Sequence, residues 1–240
     1  MTQFGNLPKR ESLLEAVTPV GTYGGAGHFV EYFGGADYDR NLWLHKNSGL
    51  GHQDGDNGVT MNAWQHKQGG VEFRTKAEQW NHSWLCMGST QAFNKDGFVM
   101  ISIATRTSSS DSAILVGMTS NGRQDPRVIT NDASRIEFHN ATNPSTIEMR
   151  IKKDGSNYAT ELFTSIGSTN GGNGTKRYVY QIEGEGQRMR GSINNVLEVV
   201  YTTTANYPDE DMSPYCGVYT SSNDIRKGVW SYCECWNTGV

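Results

Sequence analysis

Apolar and polar residues alternate along several short segments of this chain, which is the pattern of half-buried β-strands. The segment 146–152 carries an apolar residue at every second position, with charged residues between them. A second segment places Ile136 and Phe138 on one face and Arg135 and Glu137 on the other. Because side chains on a strand alternate between its two faces, each segment predicts an antiparallel strand with one face toward a core.

Other segments complete an all-β pattern. The stretches 99–104 and 113–118 are nearly continuous apolar runs, which predicts strands at the centre of a sheet. Turn residues at 184–186 and 194–195 divide the segment 177–200 into a three-stranded meander. No internal repeat favours a propeller or a solenoid. The predicted fold is therefore a two-sheet antiparallel jelly-roll sandwich.

The first twenty residues differ from the rest. Residues 8–17 have a spacing compatible with a short helix, which Pro19 would end. We predict an N-terminal arm at 1–20 and a single β-sandwich domain at 21–240. The arm could dock onto a partner or pack on its own domain, and the sequence leaves both open.

Composition narrows the possible partners. The 240 residues have a formal net charge of −4, and no basic stripe predicts nucleic-acid binding. No apolar run approaches a membrane span, and no secretory leader is recognised at the N-terminus. We therefore expect a chain that folds in a cytoplasm with its four cysteines reduced.

The order of elements in the second half resembles the concanavalin A-like lectin/glucanase superfamily, including its laminin-G-like jelly rolls. The likeness spans roughly 97–235 and rests on strands at 97–106, 113–118, 177–183, 192–200 and 213–220. The resemblance implies a sandwich with a glycan as ligand or substrate. The hydrolases of that superfamily carry an E-x-D-x-x-E strand, which this chain lacks. The nearest pair is Glu183 and Glu185, placed beside glycines that predict a turn.

Aromatic residues supply the candidate glycan site. The pattern Trp-x-His begins at Trp43, Trp64 and Trp80. On a strand, Trp80, His82 and Trp84 would form one row on which a sugar ring could stack. Trp64, Trp80, His82 and Trp84 are the predicted carbohydrate-binding residues. The same tryptophans could instead fill the core or a subunit interface.

One acidic loop is a candidate cation site. Asp54, Asp56 and Asn57 stand among glycines and offer alternating oxygen ligands, as Ca²⁺ requires. Position 65 is Gln rather than the Glu of an EF-hand, so a polar turn competes with this interpretation. No other cofactor is predicted.

The function predicted from these features is structural. A jelly roll without a recognised leader, with a distinct arm and a weakly charged surface, favours a non-catalytic virion protein. Such a protein could be a phage capsid-decoration, tail or fibre component that adheres to surface glycans. Its predicted partners are other virion proteins, bound through the arm, and further copies of itself in a homo-oligomer. It would be made in a host cytoplasm and located in the virion. The alternatives are a free-standing carbohydrate-binding module and a polysaccharide hydrolase or lyase.

Overall fold

The structure is a computed structural model in which every regular element of the described residues is a β-strand. The described residues are 27–33, 42–47, 59–60, 70–75, 82–87, 93–106, 112–120, 134–140, 147–153, 157–163, 177–186, 188–202, 207–220, 223 and 227–239. The predicted arm, Trp64, Trp80 and the acidic loop at 54–57 lie outside them. The arm and its boundary with the domain therefore stay predictions.

The strands, numbered in chain order, form two sheets. The eight-stranded sheet consists of β1 (His28–Tyr32), β3 (Val59–Thr60), β4 (Val71–Arg74), β6 (Gly97–Arg106), β11 (Tyr178–Glu185), β12 (Arg188–Ile193), β13 (Val196–Tyr201) and β15 (Lys227–Asn237). The seven-stranded sheet consists of β2 (Trp43–Asn47), β5 (His82–Met87), β7 (Ser112–Thr119), β8 (Arg135–Asn140), β9 (Ile147–Lys153), β10 (Asn157–Phe163) and β14 (Ser213–Thr220).

Strand order confirms the predicted two-sheet antiparallel jelly-roll sandwich. The first sheet runs β13-β12-β11-β6-β15-β4-β3, with β1 also paired to β15. The second runs β10-β9-β8-β7-β14-β5-β2. Consecutive strands β6 and β7, and likewise β14 and β15, lie in different sheets. This crossing brings residues distant in the chain onto neighbouring strands.

The core lies between the sheets and is built by the predicted alternation. Ile147, Met149 and Ile151 are buried in it from β9, and Ile136 and Phe138 from β8. The two sheets also meet through aromatic rings, since those of Phe138 and Tyr180 are 5.3 Å apart. Burial of this apolar surface is the main favourable contribution to folding.

The meander at 178–201 shows how local residues set the register. Asn194 and Asn195 have φ angles of 51° and 65°, which are the values of a two-residue type I′ hairpin turn. The turn joins β12 to β13 with Ile193 opposite Val196. The side-chain oxygen of Asn194 also accepts a hydrogen bond from the backbone N–H of Val179 at 3.1 Å.

A bulge in β15 changes which residues face the core. Pairing with β6 shifts between Trp230 and Tyr232, so that Ser231 is the extra residue. Trp230 and Cys233 therefore both point into the core, although an unbroken strand would place them on opposite faces. Cys233 and Cys235 share a face as predicted, with their sulfurs 3.9 Å apart. All four cysteines are free and buried.

One strand differs from the prediction. Within the glycine-rich segment 21–58, Trp43–Asn47 forms β2 at the edge of the seven-stranded sheet, although the strands predicted from the sequence do not include it. Trp43 is 1 % exposed and packs against Phe33 and Trp230, with ring centroids 5.3 and 5.0 Å away. Trp43 is therefore a core residue. No helix in the described residues is long and apolar enough to cross a membrane.

Candidate active site on the outer face of the seven-stranded sheet

The face of the seven-stranded sheet that points away from the core carries a grid of polar and aromatic residues. The strand registers define two rows across it. The first row contains Arg150, Glu137, Gly117, Tyr215 and Cys86. The second row contains Glu148, His139, Leu115, Gly217 and Trp84. These residues come from five strands, β9, β8, β7, β14 and β5, and we call them the outer-face grid.

Two glycines shape the centre of the grid. A Cβ at Gly117 would lie 2.7 Å from Cα of Glu137, and one at Gly217 would lie 2.9 Å from Cα of Trp84. A larger residue at either position would push the neighbouring strand away. Because Gly117 has no side chain, Tyr215 on one side of it reaches Glu137 on the other, and its hydroxyl donates a hydrogen bond to Oε2.

Glu137 is a buried carboxyl group with unused bonding capacity. It is 0 % exposed, and its Oε1 has no hydrogen-bond partner among the described residues. The Nε of Arg135 is 3.7 Å from that oxygen. An unpartnered buried acceptor costs on the order of 1–3 kcal/mol, and such atoms in native proteins often mark a functional position. The sequence predicted the outward direction of Glu137 but not its burial.

A second carboxylate lies on the next strand. Oε2 of Glu148 is 2.6 Å from Nη2 and 2.8 Å from Nε of Arg150, which is a charge-assisted pair on one strand. Both side chains are partly exposed. In the strand register Glu148 is opposite His139, which lies two residues after Glu137 on β8. The two carboxyl-bearing residues are therefore diagonal neighbours, with Cα atoms about 7–8 Å apart.

Aromatic residues form the other half of the grid. Trp84, Cys86, Leu115 and Tyr215 make a small apolar cluster of their own, separate from the main core. The rings of Trp84 and Tyr215 meet edge to face with centroids 6.0 Å apart. Trp84 is 1 % exposed, and its indole N–H has no acceptor among the described residues.

The predicted aromatic row is partly visible in this grid. His82 and Trp84 share a face of β5, with ring centroids 5.8 Å apart, as expected for residues two apart on a strand. Both are buried in the structure. Trp64 and Trp80 lie outside the described residues, so a carbohydrate site made of all four residues stays a prediction.

Histidine and cation chemistry are restricted at this face. Burial, and then the charges of Arg150 and Arg135, hold the pKa of His139 well below its usual value. His139 is therefore neutral at neutral pH. Asp54, Asp56 and Asn57 lie outside the described residues, and within the described part no three His, Cys, Asp or Glu side chains are grouped as metal ligands.

The acidic pair noted in the sequence lies elsewhere. Glu183 and Glu185 belong to β11, and the turn begins only at Gly186, whose φ is 52°. They face outward from the eight-stranded sheet beside Arg188 and Arg190. Glu183 accepts a hydrogen bond from Gln181 at 2.5 Å. Neither residue contributes to the outer-face grid.

Comparison with solved structures finds the same fold in several glucanases. No protein-family model and no curated protein matches the sequence. A β-1,3-1,4-glucanase (lichenase) from a mouse hindgut metagenome superposes with a TM-score of 0.62 and 8 % identity, over 88 % of this chain and 98 % of that one. The β-glucanase of Bacillus licheniformis superposes with a TM-score of 0.59 and 10 % identity, over 90 % of this chain and 99 % of that one. A glycoside hydrolase family 16 endo-glucanase from Bacteroides ovatus superposes with a TM-score of 0.62 and 10 % identity, over 86 % of this chain and 99 % of that one.

These similarities correct the predicted function. A non-catalytic virion protein was expected, but the similar structures are glucanases, so the prediction that the chain is not an enzyme is wrong. They favour the alternative, a polysaccharide hydrolase, and give no support to a virion context. The predicted virion location is untested. At 8–10 % identity the comparisons show the fold, and the chain has the concanavalin A-like jelly-roll fold of these glucanases.

Proposed function

We propose that this protein hydrolyses a polysaccharide of the β-glucan class at the outer-face grid. The observation that carries the proposal is Glu137, a fully buried carboxyl group with one oxygen that accepts no hydrogen bond from the described residues. Support comes from the similarity in fold to a lichenase and to laminarinases, one of them from a Flavobacterium species. A related Bacteroides ovatus structure contains a G4G4G3G product.

Glycoside hydrolysis needs two carboxyl groups on either side of the bond that is cut. The catalytic distance between such groups is about 5–10 Å, depending on whether the anomeric configuration is retained or inverted. The diagonal placement of Glu137 and Glu148 on β8 and β9 is compatible with that range. The pair would replace the E-x-D-x-x-E strand of the superfamily. At the centre of the sheet, β7 presents Leu115 and Gly117 to the same face, and neither can transfer a proton.

The environments of the two groups suggest different roles. Glu137 accepts the hydroxyl of Tyr215 and is surrounded by buried side chains, so we assign proton transfer at the glycosidic oxygen to it. Glu148 is paired with Arg150 and partly exposed, so we assign to it the stabilisation of the positive charge that develops on the sugar. Because Glu137 and Trp84 are buried, the segments that cover this face must move for a glycan to reach them.

The test is hydrolysis of two polymers, mixed-linkage β-glucan and laminarin, followed by measurement of new reducing ends. We expect the wild-type protein to cut at least one polymer. Glu137→Gln and Glu148→Gln should each lower the rate by roughly 100-fold or more. Glu210→Gln is the matched control, since Glu210 is exposed and lies outside the five strands of the grid.

Melting curves separate catalysis from folding. If Glu137→Gln loses the fold, Glu148→Gln decides, because its side chain is partly exposed and tolerates the change better. A wild-type protein that cuts neither polymer would overturn the proposal. So would two folded variants that cut at the wild-type rate.

We also propose that the protein forms the homo-oligomer predicted from its sequence, and that β13 forms the contact between copies. This strand is the edge of the eight-stranded sheet, and Val196, Leu197 and Val200 are each more than half exposed on it. An apolar edge strand is a template for pairing with another strand. Antiparallel pairing of β13 with its own copy would satisfy both edges.

A further inference from the structure

A second cluster of aromatic and acidic side chains lies on the other sheet, where β1 pairs with the end of β15. Phe29, Cys233 and Cys235 point into the core from these strands. The residues between them therefore face outward from the eight-stranded sheet. In the register His28 is opposite Trp236, Val30 opposite Glu234 and Tyr32 opposite Tyr232. We call the side chains of His28, Tyr32, Tyr232, Glu234 and Trp236 the β1–β15 surface.

Aromatic rings occupy both ends of this surface. At one end Tyr32, 45 % exposed, lies over Tyr232 with centroids 5.0 Å apart. At the other end His28 and Trp236 meet edge to face at 6.0 Å, and the side chain of His28 is 49 % exposed. The two ends, at Tyr232 and Trp236, are four positions apart on β15, which is about 13 Å along a strand. The rings therefore provide two stacking positions rather than one.

A fixed carboxylate stands between the two ends. Oε1 of Glu234 is 2.7 Å from Nε2 of His28, and Oε2 accepts the hydroxyl of Tyr232. Burial, and then the hydrogen bond and charge of Glu234, raise the pKa of Tyr232, so its hydroxyl stays protonated and donating. Each carboxylate oxygen can accept a further hydrogen bond, and the side chain of Glu234 is 17 % exposed.

We propose that the β1–β15 surface is a second glycan-binding site, which holds a neutral polysaccharide chain away from the outer-face grid. A sugar ring has an apolar face for an aromatic ring to stack on and hydroxyl donors for a carboxylate to accept. The 13 Å span calls for a ligand of several sugar units, since one unit could not contact both ends. The choice of a β-glucan as ligand rests on the proposed function, but the site itself does not depend on cleavage.

The experiment is native gel electrophoresis at 4 °C in gels that contain mixed-linkage β-glucan or laminarin. The variants are Trp236→Thr and Tyr32→Thr, because threonine favours a strand as the aromatic residues do. Arg188→Thr is the control, since Arg188 is exposed on β12 of the same sheet, and β11 and β6 separate that strand from β15. We expect each aromatic variant to bind about 5- to 10-fold more weakly, as loss of one stacking ring implies. The control should bind within about twofold of the wild type.

Cleavage of a short soluble oligosaccharide separates this inference from the proposed function. Such a substrate does not need the second site, so both aromatic variants should cleave it at the wild-type rate. If the wild type cleaves but both folded variants still bind polymer at full strength, the second site is refuted and the proposed function stands. If binding falls in the variants while the wild type cleaves nothing, the second site stands and the proposed function fails. A wild type that is not retarded by either polymer also refutes the site. Tyr32→Thr decides if Trp236→Thr does not fold.

Discussion

The hydrogen bond between Tyr215 and Glu137 should make a large contribution to stability, and Tyr215→Phe tests it. The substitution removes one hydroxyl and keeps the ring, which is fully buried against Trp84. No cavity of a side chain's size is created. Among the described residues, the carboxyl group of Glu137 would then have no hydrogen bond from a side chain, and Nε of Arg135 would remain 3.7 Å from its Oε1.

The magnitude follows from the burial of the pair. A hydrogen bond within a protein contributes about 0.5–1.5 kcal/mol, and leaving a buried acceptor unsatisfied costs about 1–3 kcal/mol. We therefore expect Tyr215→Phe to lower the free energy of unfolding by about 2–3 kcal/mol. If Glu137 is first replaced by methionine, the acceptor is gone. The same Tyr215→Phe change should then cost less than about 1 kcal/mol, because both partners have become apolar.

Urea unfolding followed by tryptophan fluorescence measures all four members of this cycle. Tyr201→Phe is the control, since the hydroxyl of Tyr201 makes no hydrogen bond within the described part of the chain, and we expect a change below about 0.5 kcal/mol. The reasoning is refuted if Tyr215→Phe is as mild as the control. It is equally refuted if Tyr215→Phe costs the same in the presence and absence of Glu137, because the two residues would then not be coupled.

Three further predictions follow from buried or exposed groups. Because the pKa of His139 is lowered in the folded state, the unfolded chain binds the proton more readily below about pH 6.5. Stability should therefore fall as the pH is lowered from about 6.5 to about 5, by at most about 1.4 kcal/mol per pH unit, and urea unfolding of His139→Gln should show less of this loss. Ser102→Ala removes the hydroxyl that accepts a hydrogen bond from the Trp230 indole N–H at 2.6 Å. Thermal melting should show that the free energy of unfolding falls by about 1–3 kcal/mol, and an unchanged melting temperature would contradict a stabilising role for this bond. Val200→Lys should shift the protein toward the monomer in size-exclusion chromatography with light scattering; an unchanged mass would exclude β13 as the contact.

Much of the fold could be predicted because strand signals are local. The predicted strand segment 146–152 agrees within one residue with β9 (Ile147–Lys153), and the apolar run 113–118 lies inside β7 (Ser112–Thr119). These segments have clear alternation or an apolar run between turn residues. By contrast β2 was missed, because its residues alternate weakly and lie among glycines. Its strand character comes from pairing with β5 and from burial of Trp43 in the core.

The candidate site was predicted only in part. The sequence placed His82 and Trp84 on one face and Glu137 outward from its sheet, and both statements are correct. It did not indicate that Tyr215 would reach Glu137, since 78 residues separate them in the chain. Nor did it favour Glu137 over Glu183 and Glu185, which have the more suggestive local spacing. Those two residues lie on the outward face of the other sheet.

The amino-acid sequence by itself determined most of the strands, their turns and the face on which each side chain lies in an unbroken strand. The reason is that a strand alternates its side chains with a period of two, so that direction depends only on neighbours in the chain. The tertiary structure decided which strands are adjacent and which outward faces are buried. Tyr215 and Glu137 meet because β14 and β8 flank β7 and because Gly117 leaves room between them. Such contacts depend on the order of strands across a sheet, and no local pattern of residues specifies that order.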